Sequence, residues 1–301
     1  MKHFSINDDG RNIYVINLRD KYQNKIYTRN KGDSCFWLEN FYDTSQFHNR
    51  KTLEIAFNRL IESKYDRIIL EIEKEKPIED QQIKDDLLLL LYFSLHRSPG
   101  RRDEYEEALR LQNWMNEVST NGKAEKIEKN YDKDTFIKEL HLSEMTNKDK
   151  LYKNVDAICT YLGIKKWTII IAPENSFWIT SDDPCVEIKY NEDGTITASK
   201  QWNFEELETM FLPLTKKYCL MIDSYNQVDD INLNLNTDKI CFKKATTKDV
   251  LLFNRFSFVT MSKVLISPTE NVFRELAYEL ERIKAINNGY DDRFAIASSI
   301  T

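Results

Sequence analysis

The chain has 301 residues, is 41% hydrophobic and carries 43 Lys and Arg against 49 Asp and Glu, a net charge of -6. That balance specifies a globular protein with a sizeable core and excludes a general nucleic-acid coat, which would carry a basic excess. The five cysteines, at 35, 159, 185, 219 and 241, show no paired spacing, which suits a reducing compartment and mostly buried thiols. MKHFSINDDGRN has no apolar secretory core, so the cytoplasm is the expected location.

In chain order, the turn signal Asp8-Asp9-Gly10 opens onto RNIYVINL at 11–18. That segment alternates as a strand, with a partner expected at 25–28 in a small N-terminal hairpin. The aromatic segment CFWLENFYD at 35–43 is expected to pin this hairpin to a helical core. From Thr52 the apolar period becomes helical, with Leu53, Phe57, Leu60 and Ile61 on one stripe, and it runs to Lys76 before Pro77 breaks it. The following stretch, IKDDLLLLLYFSLHRSPGRR at 83–102, reads as apolar on every side from Leu87 to Leu95 and so predicts a helix buried all round. It is too short to span a bilayer, and Asp85 and Asp86 precede it. Ser98 can cap the next helix, Pro99 suits its first position, and that helix is expected to reach Val118.

Residues 120–150 are charged and weakly patterned, which predicts an exposed excursion or linker with one short helix near 136–140. A helix at 148–162 should end at Gly163. The texture then becomes β, with strands expected at 167–172, 177–179, 186–190, 195–198, 211–214 and 218–222. A helix at 248–261, a strand at 263–266 and an amphipathic helix at 271–286 complete the pattern. The expectation is one α+β domain over 1–301, with a helical N-terminal half packed on a mixed or antiparallel sheet formed mainly by 165–225.

Two places concentrate polar chemistry. Arg97, Arg101 and Arg102 gather at a helix–helix turn, where unpaired N–H groups could join them in binding an anion, although pairing with nearby acids is the plainer use. Phe177 to Pro184, FWITSDDP, runs from an apolar strand into a polar turn. There Asp182 can either accept backbone N–H bonds or face outward as a base or metal ligand. His48, His96 and His141 have no metal spacing, and no Walker or dinucleotide motif is present.

Several short blocks in order resemble the bacterial domain-of-unknown-function family 4238. These are KHFSINDDGRNIYVINL at 2–18, FYD at 41–43, the helix opening at Leu53-Glu54 with a second glutamate at 62, LHRSPGRRDE at 95–104, FWITSDDP at 177–184 and FLPLTKKYCLMI at 211–222. Carried over residue by residue, the resemblance singles out Glu54, Glu62, Arg97, Pro99, Thr180, Ser181, Asp182 and Pro184. It departs from the family at Ser98 and Asp183, where relatives carry Thr and Asn, and in the upstream His-Tyr-x-Pro-x-Phe segment, which is not seen before Phe4. It implies an accessory bacterial protein, of a kind found in defence-type contexts, without prescribing a reaction.

Two functions follow. The first is a phosphoester-directed hydrolase, a nuclease or nucleotide hydrolase. In it Asp182, Glu54 and Arg97 are catalytic, Arg101, Arg102, Thr180 and Ser181 bind substrate, and Asp182, Glu54 and Glu62 hold Mg²⁺. Its partner would be nucleic acid or a nucleotide on a local basic patch. The second is a non-catalytic sensor or protein-binding subunit, in which the same residues brace the fold and Arg97 pairs with Glu54 or Asp182. Neither implies a membrane.

Overall fold

The computed structural model describes residues 2–17, 26–33, 52–119, 133–191, 196–199, 207–223 and 239–286. The architecture is α+β. Strands β1 (Ile13–Asn17) and β2 (Ile26–Arg29) precede α1 (Thr52–Phe57), which continues through a π-helical turn at Asn58–Glu62 into α2 (Ser63–Ile72). Then come α3 (Gln81–His96), α4 (Pro99–Ser119), α5 (Lys133–Thr146) and α6 (Lys148–Gly163). The strands are β3 (Lys166–Ile171), β4 (Thr180–Ser181), β5 (Val186–Tyr190), β6 (Ile196–Ser199), β7 (Thr209–Pro213), β8 (Tyr218–Asp223) and β9 (Cys241–Lys244). Helix α7 (Thr247–Thr260), β10 (Val264–Ser267) and α8 (Glu270–Ile286) close the order.

The strands form two sheets. The larger runs β6-β5-β7-β8-β3-β9, antiparallel except where β9 lies parallel to β3. The smaller runs β2-β1-β10-β4, antiparallel throughout. The N-terminal hairpin is thus half of a four-stranded sheet, because β10, from near the other end of the chain, inserts between β1 and β4.

Strand periodicity divides the larger sheet into two faces. Ile169, Ile171, Met210, Leu212, Leu220 and Ile222 pack with Ile69, Leu87, Leu91 and Leu162 of the helical layer. Ile170, Val186, Ile188, Phe211 and Cys219 pack with Val250 and Phe256 of α7. Local caps set the helix starts. The Asp80 side chain accepts from the Gln82 N–H, Asn147 caps α6, and Thr246 with Asp249 forms a capping box on α7.

Five expectations need correction. Helix α3 is not apolar on all sides in practice. Leu87 and Leu91 are fully buried, but Leu89 and Leu90 are only partly so. Lys84 and Asp86, both just before the leucine run, are buried instead. Asp86 accepts from Lys64 at 2.7 Å, Arg67 at 2.8 Å and Gln82 at 3.1 Å. The segment 133–150 is no exposed excursion, because α5 buries Ile137, His141, Leu142 and Met145; residues 120–132 lie outside the described residues. The strand expected at 177–179 begins instead at Thr180, since Asn254 on α7 takes the hydrogen bonds of Phe177 and Ile179. Strand β9 is an addition to the expected strands, because Cys-Phe-Lys-Lys lacks apolar alternation, as an edge strand can. Among the described cysteines, Cys185 and Cys219 are buried whereas Cys159 and Cys241 are exposed. The aromatic segment 35–43 and His48 fall outside the described residues.

Candidate functional site

The two polar turns singled out by sequence meet in space. Helix α3 ends at His96, and Ser98 starts α4 by accepting the Arg101 N–H on Oγ at 3.1 Å. The other turn follows β4. Ser181 Oγ donates to the Asp183 carbonyl at 2.8 Å and accepts the Asp183 N–H at 3.1 Å. Asp182 Oδ1 accepts the N–H groups of Ser262 and Lys263, both at 3.1 Å, and its own N–H donates to the Val264 carbonyl at 3.1 Å. Asp182 therefore ties the exit of α7 to the start of β10.

Asp183, not Asp182, reaches the arginine-bearing turn. Gly100 is buried in the first turn of α4, and a Cβ built there would lie 2.2 Å from Asp183 Oδ2 and 2.6 Å from Ser262 Oγ. Glycine in a helix is ordinarily unfavourable by about 1 kcal/mol relative to alanine; here it admits the close approach of a buried carboxylate to a helix N-terminus, where the dipole favours negative charge. Gly100→Ala is expected to destabilise the protein by about 1–3 kcal/mol despite its better helix propensity, because overpacking must move either the helix or the turn. Urea denaturation of the two proteins measures it.

Beside this joint lies a cluster of cations and imidazoles. Arg101 pairs with Glu104 at 2.5 Å and lies over the Tyr105 ring, 5.2 Å from its centroid. His141 on α5 is fully buried, and its Nε2 lies 2.6 Å from the His96 carbonyl. A carbonyl can only accept, so Nε2 carries the hydrogen. His96 in turn packs on Tyr92, with ring centroids 4.3 Å apart. Burial lowers the His141 pKa to about 4, and the charges of Arg102, His96 and Arg101 act in the same direction.

The consequence for stability has a definite sign. Below its ordinary value of 6.5 the unfolded chain protonates this imidazole while the folded one resists down to about 4. Stability is therefore whole above 6.5 and declines as pH falls through that window, by up to about 1.4 kcal/mol per pH unit. Denaturation midpoints across the window should fall with acidification in the native chain, and less steeply in His141→Gln.

The other expected site residues are placed as follows. Arg97 pairs with Glu62 at 3.2 Å and lies over the Phe57 ring at 4.5 Å; the expected approach to Asp182 is not formed, because the carboxylate of Asp182 is turned to the backbone of 262–263. Thr180 and Ser181 are buried in register with Ile266 and Leu265. The Glu54 side chain lies outside the described residues. Among the described residues no group of three or more His, Cys, Asp or Glu is placed to hold a metal ion, and the expected Mg²⁺ ligands Asp182 and Glu62 are engaged with protein groups. Cys185 is buried with its pKa raised well above the ordinary thiol value by burial, which excludes it as a ready nucleophile. The residues missed were Gly100, Asp183, Asn254 and His141. Only Gly100 left a signal, as a glycine inside a helix start; the His96–His141 contact spans 45 positions, beyond any local pattern.

The N-terminal block and the block at 211–222 are joined in the same way. The Lys216 N–H donates to the His3 carbonyl at 3.0 Å, and Lys216 Nζ reaches the Ser5 carbonyl at 3.0 Å and Asp8 at 2.6 Å. His3 Nε2 lies 2.9 Å from Asp66 Oδ1, and this hydrogen bond is the main influence holding the Asp66 carboxyl below its usual range. No helix among the described residues is long and apolar enough to cross a membrane.

No curated protein and no solved structure matches the chain. A family model does, over residues 1–270, and that span takes in both turns, the joint between them and the N-terminal block docked on Lys216. The chain belongs to the family described as protein of unknown function, DUF4238.

Proposed function

We propose that this chain is a non-catalytic binding module, a sensor or partner subunit of an accessory or defence-type complex, in which the two motif turns lock the helical layer to the sheets. The observation that carries the reading is the pair of backbone hydrogen bonds accepted by Asp182 Oδ1 from Ser262 and Lys263. A general base or metal ligand is aimed at substrate or ion, whereas both of these bonds fall on Oδ1 and turn the carboxylate toward the backbone at the exit of α7. Glu62 is similarly occupied by Arg97.

The test separates acceptor geometry from charge. Asp182→Asn keeps an acceptor at Oδ1, while Asp182→Ala strands two N–H groups. In a bracing role Asn should stay close to the native melting temperature. Ala should lose about 2–4 kcal/mol, the cost of two unsatisfied, partly buried donors. A panel of RNA, DNA and nucleotides with Mg²⁺ or Mn²⁺ should show no turnover that depends on residue 182. Turnover abolished by Asn at an unchanged melting temperature would restore the phosphoester hydrolase reading.

That second reading keeps one observation in its favour, the gathering of Arg101, Arg102 and His141 beside the start of α4. In it the arginines clamp a phosphate and Ser181 and Thr180 position it.

A further inference from the structure

On the other face of the larger sheet, away from the helical layer, α7 and the strands line a cavity of about 290 Å³ between them. Its volume is near the lower end of small-ligand sites. Phe253 of α7 forms part of the apolar wall and stacks into an aromatic cluster, 5.0 Å from Phe211 and 6.4 Å from Phe256 between ring centroids. Tyr190 also lines the cavity.

The charges around this cavity balance. Asp223 and Asp249 supply two carboxylates, and Lys243 and Lys244 supply two ammonium groups on the exposed edge strand. Asp249 is already committed to the α7 capping box. Asp223 has one oxygen held by the Thr209 hydroxyl at 2.9 Å, which leaves Oδ2 for another donor. Burial raises the Asp223 pKa, against the opposing pull of Thr209, Lys166 and Lys243, so a bound cation would relieve the cost of keeping this carboxylate charged away from water.

We propose that this cavity binds a small zwitterion with an apolar or aromatic side chain, of the amino-acid class. The ammonium would sit on Asp223, the carboxylate on Lys243 and Lys244, and the ring against Phe253. A ligand of net charge would leave one set of partners unmatched, whereas a zwitterion answers both. The proposal concerns residues separate from the two motif turns and goes beyond the binding role assigned to the chain above.

Titration calorimetry with three probes tests it: L-phenylalanine, phenethylamine, which lacks the carboxylate, and 3-phenylpropionate, which lacks the ammonium. Saturable binding of L-phenylalanine is expected, with each single-charge probe at least about tenfold weaker. Asp223→Asn should weaken L-phenylalanine and phenethylamine but leave 3-phenylpropionate unchanged, and Lys243→Met should spare phenethylamine alone. Because Lys243 lies on an exposed edge strand, its variant keeps the test intact if Asp223→Asn fails to fold. Absence of saturable L-phenylalanine binding, equal binding of all three probes, or indifference to the Lys243 change would overturn the proposal.

Discussion

Replacing Leu91 by alanine is expected to lower the free energy of unfolding by about 2–5 kcal/mol. Leu91 is fully buried in the largest cluster, which joins α2, α3 and α6 to the inner face of the larger sheet. Deleting its branched end removes apolar area from a wall that neighbouring strands hold in place, so relaxation can close little of the void. The same change at Leu89, partly buried two positions away, should cost well under half as much. Equilibrium urea unfolding of both variants checks the pair. Equal losses would mean that α3 is enclosed on every side after all, as its run of leucines suggests.

Asn254→Ala is expected to cost about 2–4 kcal/mol and to loosen the candidate site itself. Asn254 is buried on α7, where its Oδ1 accepts the Ile179 N–H at 3.1 Å and its Nδ2 donates to the Phe177 carbonyl at 2.9 Å. These bonds replace the strand ladder that residues 177–179 lack. Without the amide, a donor and an acceptor are left unmatched, each worth about 1–3 kcal/mol where burial excludes water. Hydrogen exchange offers a local readout, since the Ile179 amide should lose protection before the amides of β3 and β8. Protection unchanged at Ile179 with global stability lost would mean that Asn254 serves α7 alone and does not hold the turn.

How much of the site was legible follows from where its interactions reach. Ser98 and Pro99 announced the start of α4, and the polar run after Ile179 announced a turn, because caps and turns are satisfied by atoms a few residues away. Which carboxylate would meet the arginine-bearing turn was not legible. Asp182 and Asp183 are adjacent and chemically alike, and the choice is made by Ser262 and Lys263, whose N–H groups take Asp182 from a helix exit 80 and 81 positions distant. The Arg97 partner was open for the same reason, since Glu62 is 35 positions away and competes with every other acid.

By itself the sequence determined the α+β class, nearly every helix and strand from Thr52 onward, and the segments in which polar chemistry gathers, since periodicity, caps and breakers act over a single turn or strand. Tertiary structure decided the insertion of β10 beside β1, the parallel edge strand β9, the burial of His141 and the wet side of α3. Each of these depends on which distant surface removes water from a given side chain. That is a property of pairs of elements, and no local pattern carries it.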